Sequence, residues 1–214
     1  MKLYTSPLAC SCAVHMILIE LGMPHEIKYV DIYVQPHILV GDQSLYTEIN
    51  PKGSVPALEL DSGEILTEVG VIMQYLVDQQ KDSDLLPKAG TIDRYRVMEW
   101  LSYIGSDVHK TIGPLFNPLM PETAKEIHKQ NLNRRLKYIN DKLAHSTYLS
   151  GEKFTIADAY LFIMMGWRPY LKFDFNGYPN LVKFHEKVSE RSSFVKLKGL
   201  LSTEYAKVNL PAFD

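Results

Sequence analysis

The hydrophobic pattern changes along the 214-residue chain, from short strand-like runs at the start to helical periodicity afterwards. The run Lys2–Thr5 predicts a β-strand, which Ser6–Ala9 interrupts. A helix is then predicted to begin at Cys10 and to end before Gly22, since glycine commonly follows the last turn of a helix. Its apolar residues recur at i, i+3, i+4 and i+7 and make one stripe: Val14, Ile17, Leu18 and Leu21.

A second strand and an irregular stretch follow this helix. Apolar and polar residues alternate along His25–Tyr33, which predicts the strand. The two strands and the helix between them make a βαβ unit, which favours parallel pairing of the strands. Val34–Leu45 contains proline, glycine and aspartate and predicts a loop, and Tyr46–Ile49 predicts a short helical turn.

A hairpin and a helix complete the first part of the chain. Ala57–Leu60 and Glu64–Leu66 predict two strands joined through Asp61–Gly63. Thr67 is a good N-cap for a helix whose apolar residues again have helical spacing: Val69, Ile72, Met73 and Leu76. The order βαβ then ββα within residues 1–80 is the pattern of a thioredoxin-like domain.

Strand patterns disappear after a polar segment. Residues 81–90 predict a linker, and residues 91–214 an all-helical domain. The predicted helices span residues 91–116, 122–144, 154–167, 180–191 and 194–206. Within the third, Thr155 and Asp158 fit a capping box, for which a structural role is sufficient.

Composition excludes several functional classes. With 46% hydrophobic residues and a net charge of −2, the chain fits an ordinary globular protein and argues against a general nucleic-acid binder. We expect no membrane span, no secretory signal and no metal site, because the apolar runs are short and the histidines lack ligand spacing. Two cysteines, Cys10 and Cys12, favour a reducing compartment, hence the cytoplasm.

Cys10 is the first candidate for chemistry. It lies where a strand turns into a helix, and the unpaired N–H groups and dipole of a helix start stabilise a thiolate. The alternative is a small buried cysteine with a packing role. Position alone leaves both interpretations open.

Two further segments could bind a peptide-like ligand. A cis bond at Val55–Pro56 would leave the Val55 N–H and C=O free to pair with an extended peptide, although an ordinary trans proline at a strand start is the alternative. Glu68 and the helix start at Val69 could hold the ammonium and carboxylate of an α-amino acid. A carboxylate stabilised by the helix dipole is the structural alternative.

The long helix carries a polar stripe beside its apolar stripe. Ser102, Ser106 and His109 fall at i, i+4 and i+7, so we expect them to share a face that borders the core. His109 could act as acid, base or thiolate partner, or be only a hydrogen-bonded side chain.

Taken together, these residues resemble the cytosolic glutathione S-transferases, most closely the bacterial beta class. The resemblance covers almost the whole chain and depends on the order of several short motifs. They are Ala9-Cys10-Ser11 with His15, Asn50–Leu58, Leu66-Thr67-Glu68, Glu99–Ser102, Val108–Lys110, Pro114–Phe116 and Phe154–Phe162.

The resemblance implies a thioredoxin-like domain plus an all-α domain, a homodimer, and glutathione bound in the cleft between the domains. It implies Cys10, Ser11 and His109 as catalytic residues near the glutathione sulfur, with Pro56 in cis. The implied glutathione-binding residues are Gln35, Ser54, Val55, Pro56, Glu68, Val69, Ser102 and Ser106. The implied hydrophobic substrate site consists of Pro114, Leu115, Phe116, Trp167 and Tyr170.

This sequence departs from the family pattern at the glycyl end of glutathione. A lysine usually follows the second strand there, but Tyr29–Pro51 contains no Lys or Arg, so Gln35 or His37 would have to substitute. Ser102 stands where an asparagine is usual and Val69 where a Ser or Gly is usual. Cys12 lies outside the family pattern and is expected to be a packing residue, with a resolving thiol as the alternative.

Three functions are compatible with the sequence. The first is a glutathione transferase that conjugates small hydrophobic electrophiles in detoxification. The second is a glutathione-dependent disulfide or peroxide reductase that uses Cys10. The third is a non-catalytic binding or scaffold module with the same fold.

Overall fold

The computed structural model describes residues 1–80, 82–171 and 174–208, without the side chains of 204–208. It divides into two compact units. The first contains Met1–Ser83 and the segment from Arg191 onward, and the second contains Asp84–Glu190. The described residues 191–208 therefore group with the first unit, whereas the sequence prediction assigned residues 91–214 to the helical domain.

The first unit is built on a mixed five-stranded sheet of order β3-β2-β1-β4-β5. The strands are β1 (Lys2–Thr5), β2 (Glu26–Asp31), β3 (Ile38–Leu39), β4 (Ala57–Glu59) and β5 (Ile65–Thr67). β1 pairs with β2 in parallel, and the other pairs are antiparallel. The βαβ and ββα halves that were predicted thus share one sheet, and the thioredoxin-like fold is confirmed.

Among its described residues this unit has three α-helices: α1 (Ser11–Glu20), α2 (Val69–Asp78) and α9 (Ser192–Val208). α1 packs against both of the others. Its first eight residues, Ser11–Leu18, are all buried, so α1 is a core helix and not a one-sided surface helix. Arg191 at the start of the last segment forms an ion pair with Glu20 at the end of α1.

Two local predictions for this unit were wrong. The segment 34–45, predicted as a loop, contains β3, whose two residues pair with Val30 and Asp31. Thr67 was predicted as the N-cap of α2, but it is the last residue of β5, where it pairs with Ala57. Strand pairing holds Thr67 in the sheet, so Glu68 becomes the N-cap, with a left-handed φ of 74°.

The second unit is helical, as predicted. Its helices are α3 (Ile92–Tyr103), α4 (Lys110–Ile112), α5 (Glu122–Leu143), α6 (Ile156–Met165), α7 (Arg168–Leu171) and α8 (Pro179–Ser189). The predicted helix over 91–116 is one helical run, but it passes through a π-helical turn, Ile104–His109, and ends in a 3-10 turn, Gly113–Phe116. No helix within the described ranges is long and apolar enough to cross a membrane.

α6 is the central helix of this unit, since all ten of its residues are buried. The predicted capping box starts it: Thr155 and Asp158 bond reciprocally. One Asp158 carboxylate oxygen accepts from Thr155 N and Oγ1, both at 2.8 Å, and the other accepts from Leu149 N at 2.9 Å. One buried carboxylate therefore satisfies three donors and ties the preceding loop to the helix.

We expect Asp158→Asn to destabilise the protein by about 3 kcal/mol, because the amide cannot accept all three hydrogen bonds and places a donor against a buried N–H. Urea unfolding measures the change. Asp42→Asn is the matched control, since Asp42 accepts from Ser44 in an exposed turn. Equal effects of the two substitutions would contradict this role for Asp158.

Candidate functional site

In the first unit, the candidate site begins at the turn between β1 and α1. Cys10 is the N-cap of α1, so its thiol lies at the end of the helix where backbone N–H groups are concentrated. The residue is buried, with 7% of its surface exposed. Its Sγ donates a hydrogen bond to the Val55 carbonyl oxygen at 3.4 Å. The thiol and the segment before β4 therefore form one local site.

The Val55–Pro56 peptide bond is cis, which decides between the two alternatives that the sequence left open. The Val55 N–H has no hydrogen-bond partner within the described ranges. Side chains hold the preceding carbonyl, because Ser54 O accepts from Tyr46 Oη at 3.0 Å and from Asn50 Nδ2 at 2.7 Å. The Val55 main chain is thus held in place beside Cys10, with its N–H free to pair with a ligand.

The Ser11 hydroxyl is used inside the turn. It accepts from Thr5 Oγ1 at 2.7 Å and from Ser6 N at 3.2 Å, and it donates to Ser6 O at 3.3 Å. Ser11 is fully buried. These contacts connect β1 to α1 through the Ser11 hydroxyl, and its implied catalytic role stays a prediction.

The second cysteine differs chemically from the first. Cys12 is buried, and its Sγ donates to Ser6 O at 3.7 Å. Burial, followed by the neighbouring Cys10, raises the pKa of the Cys12 thiol to about 12. A thiol that stays protonated is a poor nucleophile, which favours the packing role over the resolving one.

The start of α2 offers groups for both charges of an amino acid. The N–H groups of Val69 and Gly70 have no partner among the described residues. The Glu68 carboxylate lies beside them and accepts from Lys52 Nζ at 2.7 Å. Both side chains of this pair are more than half exposed, so the pair is weak and easily exchanged for a ligand ammonium.

Gln35 and His37 lie in the segment before β3. His37 Nδ1 is 2.8 Å from the Gly53 carbonyl oxygen, and His37 Nε2 is 2.8 Å from Gln35 Nε2. Gly53 lies two residues before Val55 in the chain. His37 is thus bonded to the backbone that leads to Val55, and Gln35 is bonded to His37.

In the second unit, the predicted polar stripe is not one face. Ser102 and Ser106 are exposed, and Ser106 Oγ lies 2.9 Å from both Ser102 O and Asp107 Oδ2. His109 is more buried and faces other elements. The reason is the π-helical turn Ile104–His109, because a wider turn changes the angle between successive side chains and breaks the i, i+4, i+7 register.

His109 instead belongs to an aromatic cluster. Its Nδ1 is 2.8 Å from Tyr160 Oη, and its ring centroid is 5.3 Å from that of Trp167. Phe116 packs edge-on against Trp167 at 5.4 Å. Phe116 and Tyr170 are about two-fifths to half exposed, whereas Trp167 is buried. Pro114 and Leu115 are partly exposed in the 3-10 turn that ends at Phe116.

Burial, and then the charge of Lys110, lowers the pKa of His109 to about 4. His109 is therefore neutral at pH 7, so one ring nitrogen carries a hydrogen and the other has a lone pair. A neutral imidazole with one nitrogen bonded to Tyr160 leaves the other nitrogen for a reacting group.

Sequence reasoning missed one residue of these clusters, Tyr160, and named a second, His37, without its partner. Tyr160 was treated as part of a buried aromatic helix, although a buried tyrosine hydroxyl usually has a polar partner, and that was a usable signal. His37 was considered only as an alternative to Gln35. Nothing in the local sequence indicated its bond to Gly53, sixteen residues away.

The fold and the site together define a class. A thioredoxin-like unit with a thiol at a helix start and a cis-proline segment beside it, together with an all-α unit, fits the architecture that the resemblance to the glutathione S-transferases implied. Residues 9–79 match the family model "Glutathione S-transferase, N-terminal domain", and residues 106–192 match "Glutathione S-transferase, C-terminal domain". The chain belongs to the glutathione S-transferase family, and its relatives support a transferase.

Sequence and structural relatives agree. "Glutathione S-transferase GstA" of Escherichia coli O157:H7 is 41% identical over 191 residues, which cover 89% of this chain and 94% of that protein. The solved ternary complex of BphK, a bacterial transferase, is 38% identical, with a TM-score of 0.88 over 92% of this chain and 97% of that one. A sphingomonad transferase solved with glutathione is also 38% identical, with a TM-score of 0.86 and coverage of 92% and 96%. The predicted family is confirmed.

We expect the lowered pKa of His109 to make the folded protein less stable at acidic pH. The unfolded chain binds the proton first, so the stabilising contribution of neutral His109 is lost as pH falls from about 6.5 towards 4. Between those limits the wild type should lose up to about 3 kcal/mol more unfolding free energy than His109→Gln. Tyr160→Phe keeps the imidazole and should keep the pH dependence. Unfolding by urea at each pH tests this, and equal pH dependence in wild type and His109→Gln would contradict it.

Proposed function

We propose that the protein conjugates the thiol of glutathione to small hydrophobic electrophiles, as in detoxification. The observation that carries this proposal is the local site of the first unit. This site has a Cys10 thiol at the start of α1 and a free Val55 N–H beside a cis proline, just before β4. It also has the Glu68 carboxylate and the free N–H groups at the start of α2, just after β5. Each group matches a different part of a γ-glutamyl thiol peptide.

Charge decides the direction of the bound peptide. Ala57 pairs with Thr67, so the next residue, Glu68, lies near the Val55 end of the segment 53–55. Gly53, to which His37 is bonded, is at the other end of that segment. A ligand that runs antiparallel to Ser54–Val55 puts its γ-glutamyl ammonium at Glu68 and its glycyl carboxylate beside Gly53. The opposite direction would put that carboxylate against Glu68.

The chemistry then requires a thiolate. The glutathione sulfur loses its proton, attacks an electrophilic carbon and forms a C–S bond, and the leaving group departs with its electron pair. The N–H groups at the start of α1 stabilise negative charge on sulfur. In the other unit, neutral His109 would donate a hydrogen bond or take up a proton, and Pro114, Leu115, Phe116, Trp167 and Tyr170 would bind the hydrophobic electrophile.

Four other residues have supporting roles in this proposal. Pro56 is buried in its cis conformation, and Ser54 is exposed in the segment that leads to it. Ser102 and Ser106 are exposed polar residues of the helical run in the second unit, and their predicted contacts to glutathione stay predictions.

A second candidate is thiol–disulfide exchange through Cys10. The observation that supports it is that the protein has a thiol of its own at a helix start, hydrogen-bonded to the Val55 carbonyl. The Cys10 thiolate would attack a mixed disulfide, form a new S–S bond and release the other thiol. The two candidates differ in which sulfur reacts.

We also propose a homodimer in a reducing, cytoplasmic compartment. Two cysteines without a disulfide fit that compartment. The dimer is supported by Ile92, Tyr95 and Met98, which lie three residues apart on α3 and are all exposed. Such a row of apolar side chains is typical of a helix covered by a second copy.

The Cys10→Ala variant separates the two candidate reactions. If the glutathione sulfur reacts, conjugation to an aryl halide survives within about tenfold, whereas reduction of a glutathione mixed disulfide is lost. Cys12→Ala removes the other cysteine and should preserve both activities. Loss of conjugation together with reduction would make Cys10 the reacting thiol. No turnover and no glutathione binding in the wild type would contradict the proposed function.

We expect Glu68→Gln to raise the KM for glutathione about tenfold with little change in kcat, because a charge-assisted hydrogen bond to the γ-glutamyl ammonium is lost while the sulfur position is not altered. Glu64→Gln is the matched control on the adjacent hairpin, where the carboxylate accepts only from Ser62. Steady-state kinetics at saturating aryl halide measures both parameters. A fall in kcat at unchanged KM would place Glu68 in a different role.

A further inference from the structure

Tyr160 occupies one of the two ring nitrogens of His109. The Tyr160 hydroxyl oxygen lies 2.8 Å from His109 Nδ1, and the two rings meet edge to face with their centroids 6.0 Å apart. Tyr160 is buried, whereas His109 is half-buried. The other ring nitrogen, Nε2, has no partner in the described part of the chain and is not sealed from solvent. His109 therefore presents Nε2 alone to a ligand.

The chemistry of the two groups sets the direction of this hydrogen bond. A phenol hydroxyl, with an ordinary pKa of about 10, is a good donor, and the lone pair of a neutral imidazole nitrogen is a better acceptor than a phenol oxygen. Tyr160 therefore donates to Nδ1. Because a neutral imidazole carries one hydrogen, a donor bound at Nδ1 leaves that hydrogen on Nε2.

The surroundings of His109 also suit a hydrogen-bond donor better than a base. An imidazole that takes up a proton in catalysis is usually oriented by a carboxylate, which accepts from Nδ1–H and stabilises the imidazolium. No carboxylate bonds to the His109 ring in the described ranges. Burial, and then Lys110, holds the pKa of His109 at about 4, which is too low for efficient removal of a thiol proton at neutral pH.

Tyr160 is fixed in position by the elements around it. It lies on α6, all ten residues of which are buried. Its ring lies against the π-helical turn, since a Cβ added at Gly105 would be 3.9 Å from both the Tyr160 Cε1 and its hydroxyl oxygen. Trp167 packs on the imidazole as well, with a centroid distance of 5.3 Å. The orientation of the His109 ring is therefore set by its neighbours in the second unit.

We propose that Tyr160 is a positioning residue that makes His109 a hydrogen-bond donor to the reacting sulfur. The Tyr160 hydroxyl fixes the tautomer with its hydrogen on Nε2, and this N–H stabilises the thiolate of the bound peptide. The thiol proton goes to water and not to the imidazole, so His109 stays neutral while the thiol ionises. The inference rests on the proposed function, because it requires the peptide sulfur to reach His109 Nε2.

The first test observes the tautomer directly, by nitrogen NMR of protein that carries isotope-labelled histidine near neutral pH. Protonated and unprotonated imidazole nitrogens differ strongly in chemical shift, and the signals that His109→Gln removes are those of His109. We expect Nδ1 to be unprotonated and Nε2 protonated in the wild type. In Tyr160→Phe the Nδ1 signal should shift, because its donor is gone. A hydrogen on Nδ1 in the wild type would overturn the inference.

The second test measures what the Nε2–H does for the sulfur. The thiol pKa of bound glutathione is obtained from the thiolate absorbance, as the difference between protein with and without the peptide. We expect Tyr160→Phe to raise that pKa by about 0.7 and to lower kcat about fivefold with little change in KM, because only the donor to the sulfur is disturbed. Tyr148→Phe should change none of these values. It is the matched control, a buried tyrosine of the same unit whose hydroxyl has no hydrogen-bond partner among the described residues.

A double-mutant cycle determines whether Tyr160 acts through His109. In a His109→Leu background, which lacks the imidazole, Tyr160→Phe should have no further effect on kcat or on the thiol pKa. His109→Gln keeps an N–H donor and should retain kcat within about fivefold of the wild type, whereas His109→Leu should lose about twentyfold. Thermal unfolding confirms that the variants are folded.

The outcomes separate this inference from the proposed function. If the wild type conjugates glutathione but Tyr160→Phe changes neither kcat nor the thiol pKa, or has the same effect in the His109→Leu background, the role of Tyr160 is overturned and the proposed function stands. A His109→Gln variant as inactive as His109→Leu would also overturn the inference, in favour of a base. If the wild type neither binds nor conjugates glutathione, the proposed function fails and the inference fails with it. A hydrogen on Nε2, together with an effect of Tyr160→Phe that requires the imidazole, supports the inference.

Discussion

The hydrogen bond from the Cys10 thiol to the Val55 carbonyl is the contact on which the site of the first unit depends. Sheet pairing produces it. β4 runs antiparallel to β1, with Tyr4 opposite Ala57, so the residues that follow β1 meet the residues that precede β4. The β1–α1 turn therefore places a helix start, with its N–H groups, against a short main-chain segment that has a free donor. Under the proposed function, a ligand with a thiol next to a peptide bond would be complementary to this arrangement.

The proposed function assigns the ends of the ligand to a different principle. Val55 offers main-chain groups, which accept many peptides, whereas Glu68 offers a charge at the start of α2. Under that proposal, selectivity for a peptide with an ammonium at one end depends on Glu68. Because this side chain is more than half exposed, its contribution is modest and sensitive to salt.

Sequence patterns predicted the parts of the fold that depend on periodicity. The positions of α1, α2 and the capping box at Thr155 followed from apolar spacing and cap chemistry. Features that depend on long-range pairing were not predicted: β3 is two residues long and exists because β2 is beside it, and Thr67 is held in β5 by Ala57. The π-helical turn at Ile104–His109 was not predicted, and it interrupts the helical register between Ser102 and His109. The cis bond at Val55–Pro56 was only an alternative until the family resemblance favoured it.

The same distinction explains which site residues can be inferred from sequence. Cys10, Val55 and Glu68 have positions set by the ends of strands and helices, and those ends leave marks in the sequence. His37 and Tyr160 contribute through single side-chain contacts, one to Gly53 and one to His109, across sixteen and fifty-one residues. Such contacts depend on the folded geometry and on one residue identity at each end. A sequence can therefore keep every backbone motif of a site and still change the side chains that meet there, because such pairings are decided only in the folded structure.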